Sequence, residues 1–155
     1  MRVAAVRTRL LLITPIRIGL GAALLAAAFV GDVRSGSLGV AFAFGALFVA
    51  VAALADRRSL LLRGADAEPE PLPHGAVRDP PWRVALAAAV PSTIGLALLS
   101  VIALAIGNEV LGAVLAGAVA GLGFATTFAI FPLLAWEHER AVRLYTGPHG
   151  RRYVD

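Results

Sequence analysis

The chain has no cysteine in 155 residues, and all fourteen of its basic residues are arginine. Without thiols there is no disulfide, no thiolate nucleophile and no cysteine-held metal, which excludes quinone-coupled thiol oxidoreductase chemistry. The exclusive use of arginine reads as the habit of a GC-rich bacterial genome rather than as a mechanism. Charge is also scarce, at 15% of residues. Proton-coupled transporters and intramembrane enzymes need ionisable groups within their spans. Here Asp32, Asp56, Glu109 and Glu137 fall at the ends of apolar runs, and Arg17 alone falls inside one. The acidic residue that small four-helix multidrug exporters carry in their first span is therefore missing. The three histidines, His74, His138 and His149, share no ligand spacing, so neither a metal nor another cofactor is expected. No aromatic or fold signature accompanies the basic residues, which makes nucleic acid a poor partner.

What the chain has in excess is apolar length. Hydrophobic residues make up 59% of it, and its mean hydropathy is +0.80. The apolar residues come in blocks, Leu10 to Val30, Leu38 to Ala55, Val84 to Ile106 and Val110 to Ala135, each of 18 residues or more. At about 1.5 Å per residue each block can cross a hydrocarbon core roughly 30 Å thick. Runs without period-two alternation exclude the strands of a membrane barrel. The expected fold is an all-α integral membrane bundle of four helices. Its spans fall at about 10–31, 37–55, 83–106 and 109–136, with a proline-rich linker at 56–81 and a basic tail at 137–155.

Arginine counts set the expected threading, because basic residues near helix ends are retained on the cytoplasmic side. Arg2, Arg7 and Arg9 precede the first span, and Arg57, Arg58, Arg63, Arg78 and Arg83 flank the linker. Arg140, Arg143, Arg151 and Arg152 follow the last span, and the opposite side holds only Arg34. Both termini should then be cytoplasmic, in the inner or plasma membrane, with anionic headgroups as partners of the basic tail. Trp82 and Trp136 sit at the same headgroup level. A cleavable signal peptide is the competing reading of the start, but Arg17 interrupts its apolar core. The linker carries five of the nine prolines with Asp66, Glu68, Glu70 and Asp79, a composition that stays extended rather than folding alone.

Sliding the chain against itself by 76 residues aligns Pro15 with Pro91, Gly19 with Gly95, Gly31 with Gly107 and Gly45 with Gly121. Such matches suggest a tandem repeat of two-helix hairpins, related by a pseudo-twofold axis along the membrane normal. Small residues at spacing four supply the expected packing ribbons: Gly19, Ala23 and Ala27 in the first span, Gly45 in the second, Gly117, Gly121 and Ala125 in the fourth. In lipid such ribbons let helices approach closely, within one bundle, in a homo-oligomer or in a larger membrane complex. Pro91 and Pro132 should bend the third and fourth spans.

Thr14 followed by Pro15 reads as a helix start. Arg17 then lies one turn inside and is expected to snorkel to the headgroups, behind a basic amphipathic lead at 2–13. In the alternative reading Arg17 is a functional intramembrane charge that contacts an anionic headgroup or substrate phosphate, with Ser92 and Thr93 beside it at the seam between the hairpins. The remaining buried hydroxyls, Ser100, Thr126 and Thr127, are expected to bond their own helix backbone or to bond across helices. The composition points to a non-enzymatic membrane protein, an accessory subunit or scaffold. The alternative is a small transporter or lipid-handling protein built on that seam.

Overall fold

The computed structural model describes residues 2–30, 35–65, 69–90, 92–147 and 151–155, with only the backbone at 35 and 56–65. It is mostly helical. The helices are α1 (Val6–Ala28), α2 (Ser35–Ala65), α3 (Pro81–Ala89), α4 (Ser92–Ala105) and α5 (Glu109–Arg140). Three of them, α1, α2 and α5, contain stretches long and apolar enough to cross a membrane. Helices α3 and α4 pass the same test together as one span bent by 54°.

That bend lies where proline is expected to break the third span. Val90 closes α3 in extended conformation (φ −91, ψ 138), and α4 resumes at Ser92; residue 91 itself lies outside the described residues. Pro132 is accommodated inside α5, which continues to Arg140. The α4–α5 turn follows from its own residues: Gly107 takes φ +77, and Asn108 caps α5, its Oδ1 accepting from Leu111 N at 3.1 Å. This satisfies one of the orphan donors at the helix start.

Helix α5 is the hub. Half of its apolar window is buried inside the protein, against 22% for α1 and 17% for α2, because α1, α2 and α4 all pack on it. Backbone contact needs missing side chains, and glycine provides it: a Cβ at Gly45 would overlap the carbonyl of Val114, one at Gly117 that of Phe42, and one at Gly121 that of Ala46. In α1 the packing stripe is Ile13, Arg17, Gly21, Leu24 and Ala28. Gly19, Ala23 and Ala27 lie on the exposed side, so the face of α1 that packs within this bundle is a different one. An alanine-rich helix offers two such ribbons, and Gly21 is the residue pressed against Ala116 and Ala120. A twofold axis between hairpins would require α2 to meet the α3–α4 span as α1 meets α5. No comparable contact exists among the described residues.

Two further expectations are corrected at the chain's start. Helix α1 runs unbroken from Val6, with Pro15 inside it and the Thr14 hydroxyl donating back to Leu10 O at 2.9 Å. Residues before it form no amphipathic lead: β1 (Arg2–Ala5) is a strand. The long helices suit the expected all-α membrane bundle, and a few short strands are added to it. With β2 (Glu70–Pro71), β3 (Val77–Arg78), β4 (Leu144–Thr146) and β5 (Arg152–Val154), β1 builds a small sheet in the order β2-β5-β4-β1-β3. Strand β4 is its centre, antiparallel to β1 and β5. Val3, Tyr145 and Tyr153 form its buried core, with Leu72 and Ala76 against them.

The sheet joins the amino-terminal segment, the linker and the tail, so both termini lie at one end of the bundle. Helix α5, 32 residues or about 48 Å long, starts at the far end and returns to the sheet. The bent α3–α4 pair therefore runs from the sheet end to the opposite end. At the tail, α5 stops at Ala141, whose φ of 51 is left-handed, and not at the later Thr-Gly-Pro. Glu137 Oε1 accepts from Leu144 N at 3.0 Å. The Arg140 guanidinium covers the Trp136 ring, as that of Arg83 covers Trp82.

Candidate functional site

Arg17 is the middle residue of a 23-residue helix, about 16 Å from either end. Its side chain turns inward and is 7% exposed, so the snorkelling expectation is corrected. The register explains why: a helix that begins at Val6 places Arg17 on the same stripe as Ile13 and Gly21, and that stripe faces α5.

Hydrogen bonds to residues of three other helices hold the guanidinium. Nε donates to Thr93 Oγ1 at 2.8 Å and Nη1 to Thr126 Oγ1 at 3.0 Å. Nη2 donates to Ala88 O at 3.3 Å and, at the longer distance of 3.4 Å, to Ser92 Oγ. The broken helix makes this possible. In a continuous helix Ala88 O would accept from the amide four residues on, at Ser92; the break frees the carbonyl, and Arg17 takes it. Thr126 is prepared in the same way, because its hydroxyl donates to Leu122 O at 2.6 Å and presents lone pairs to the arginine. Gly123 lets α1 come close enough, since a Cβ there would press on Ile18 and on the Arg17 Cβ. One charged side chain thus ties α1 to α3, α4 and α5. Polar contacts of this kind are what makes an arginine tolerable in a membrane interior, where it otherwise costs about 2.5–3.5 kcal/mol on the insertion scale.

Ser92 and Thr93, paired with Arg17 in the sequence reading, are brought to it. Thr126, expected to bond its own helix or across helices, does both; that its partner is Arg17 is signalled only by Gly123, three residues before it on the face that meets α1. Ser100 binds across helices, donating to Gly112 O at 2.9 Å, and Thr127 stays on its own helix. His74 and His138 are exposed, and His149 lies outside the described residues. No cluster of three potential metal ligands occurs among the described residues.

Toward the sheet, the Arg17 junction opens into a pocket of about 280 Å³. Arg9, Ile13 and Arg17 line it from successive turns of α1, Ala88 from the broken helix, Leu133 from α5, and Thr146 and Arg152 from the sheet. Three arginines therefore line it among apolar side chains, and the described lining contains no carboxylate. The arrangement suits an anion attached to an apolar body, because arginine presents planar donor pairs to phosphate or carboxylate oxygens. No protein-family model, curated protein or solved structure matches the chain.

Proposed function

We propose that this chain is a non-enzymatic, multi-pass protein of a bacterial plasma membrane that handles an anionic amphiphile at the mouth between α1, α5 and the sheet. The observation that carries this reading is the pocket in which Arg9, Arg17 and Arg152 meet the apolar side chains of α1 and α5. The break between α3 and α4 supports it: discontinuous helices in membranes occur where backbone lines a cavity or a binding site, and Ala88 at this break lines the pocket. The arginine asymmetry of the sequence favours a cytoplasmic sheet end, and in that orientation the pocket opens near the inner-leaflet headgroups. Reconstitution into nanodiscs of mixed zwitterionic and anionic lipid, followed by analysis of what the protein retains, tests the reading. Enrichment of anionic lipid is expected; retention in proportion to the bulk mixture would refute it.

A second reading, an accessory subunit or scaffold, is favoured by α2. That helix has its main contact with α5, and its outer face carries the exposed, stacked rings of Phe44 and Phe48. Mild extraction followed by mass analysis separates the two: a stoichiometric second polypeptide supports the scaffold, and a lone lipid-bearing chain supports the binder.

A further inference from the structure

The pocket's lining is selective beyond the sign of its charge. Among the described residues its polar members are Arg9, Arg17, Arg152 and Thr146: three cationic side chains, one hydroxyl, and no acidic group to receive a choline or ethanolamine head. A phosphodiester headgroup brings one negative charge to three guanidinium groups. A phosphomonoester brings nearly two at neutral pH, because its second ionisation lies near pH 6, and it offers three terminal oxygens to the donors. The pocket, at about 280 Å³, has room for a phosphate, and the half-buried apolar residues of its lining, Leu10, Ala129 and Leu144, are those that an acyl chain would meet.

We infer that the pocket recognises the phosphomonoester headgroup of a lipid, with Arg9 and Arg152 as the arms that close on the phosphate and Arg17 as the fixed positive floor. This inference rests on the amphiphile reading above and narrows its ligand class. Arg9 and Arg17 stand about 12 Å apart along α1, with Ile13 between them, so the two charges address the ligand from opposite ends of the slot. Arg9 is exposed and Arg152 half-buried, which leaves both heads able to adjust. Arg17 is held by Thr93 and Thr126.

The test uses the full chain in phosphatidylcholine nanodiscs that contain a minor fraction of either phosphatidic acid or phosphatidylglycerol, with retained lipid counted by native mass spectrometry. Above about pH 7, where the monoester is doubly charged, phosphatidic acid should be retained about tenfold better than phosphatidylglycerol, equivalent to about 1.4 kcal/mol. Near pH 5, where it carries one charge, the preference should vanish. The double variant Arg9→Gln, Arg152→Gln should lose the preference while keeping its thermal midpoint, and added inorganic phosphate should not displace the lipid. Equal retention of both anionic lipids at every pH would remove the monoester inference and leave the amphiphile reading standing. Retention of neither above bulk would remove both. Displacement by inorganic phosphate would identify a soluble phosphoester instead of a lipid, and a preference unchanged in the double variant would move the site elsewhere.

Discussion

At the residue scale the decisive fact is the direction of one side chain. A charge removed from water is costly unless its donors are satisfied, and breaking up such a group by removing only part of it costs more than replacing it with an apolar residue. Arg17→Lys keeps the charge but loses the planar fork that reaches Thr93, Thr126 and Ala88 together. It should lower stability in detergent by about 2 kcal/mol, more than Arg17→Met does. Arg17→Met should unfold close to wild type but retain less anionic lipid. Thermal melts and lipid counts on the same preparations check both statements; a methionine variant less stable than the lysine one would contradict them. Arg17 was visible in the sequence as an anomaly. Its direction was not, because Thr14-Pro15 reads as a helix start by local chemistry. The helix instead absorbs the proline, and the Thr14 hydroxyl bonds its own preceding turn. Nothing local to residues 10–20 reports that helix formation begins at Val6.

At the scale of elements, the packing glycines divide into two kinds. Gly117 faces the Phe42 carbonyl with no room for a methyl group, whereas Gly19 has nothing within 4 Å. Gly117→Ala must push backbone against backbone and should destabilise the α2–α5 pair by about 1–3 kcal/mol, while Gly19→Ala should change stability by less than about 0.5 kcal/mol. Denaturation of the two variants in the same detergent decides the matter, and equal effects would mean the α1 register is wrong. The sequence made the glycine ribbon of α5 and the break before α4 legible, because glycine spacing and proline act through local backbone geometry. It could not choose between the two small-residue faces of α1. That choice depends on which face Arg17 and Ile13 share. The 76-residue offset is a similar case: it pairs Arg17 with Thr93, which do touch, yet among the described residues α2 makes no contact with the α3–α4 span comparable to that of α1 with α5.

For the whole molecule, the small sheet is the element that hydropathy could not reveal. Its strands are two to four residues long, and their partners come from the two termini and the linker. A composition that cannot fold alone can still pair when a bundle holds its ends together. The sheet supplies Thr146 and Arg152 to the pocket and covers Val3 with Tyr145 and Tyr153. Truncation after Val142 should therefore leave the bundle assembled, expose residues 2–5 to protease and abolish selective retention of anionic lipid. Limited proteolysis with lipid analysis checks this, and a protected amino terminus in the truncated chain would contradict it. Reporter fusions should place residue 1, the linker and residue 155 on one face of the membrane, because one sheet gathers all three segments.

The most direct measurement is nuclear magnetic resonance of the Arg17 Nε–H group in nitrogen-labelled protein in bicelles, identified by its loss in Arg17→Met. An arginine held by Thr93 and Thr126 inside the bundle should give a single resonance that exchanges slowly with water. That resonance should shift in Thr93→Val and stay untouched by a water-soluble paramagnetic agent. A fast-exchanging signal, broadened by that agent and indifferent to Thr93, would mean that the side chain reaches the headgroups, and the buried junction and the pocket above it would both be wrong.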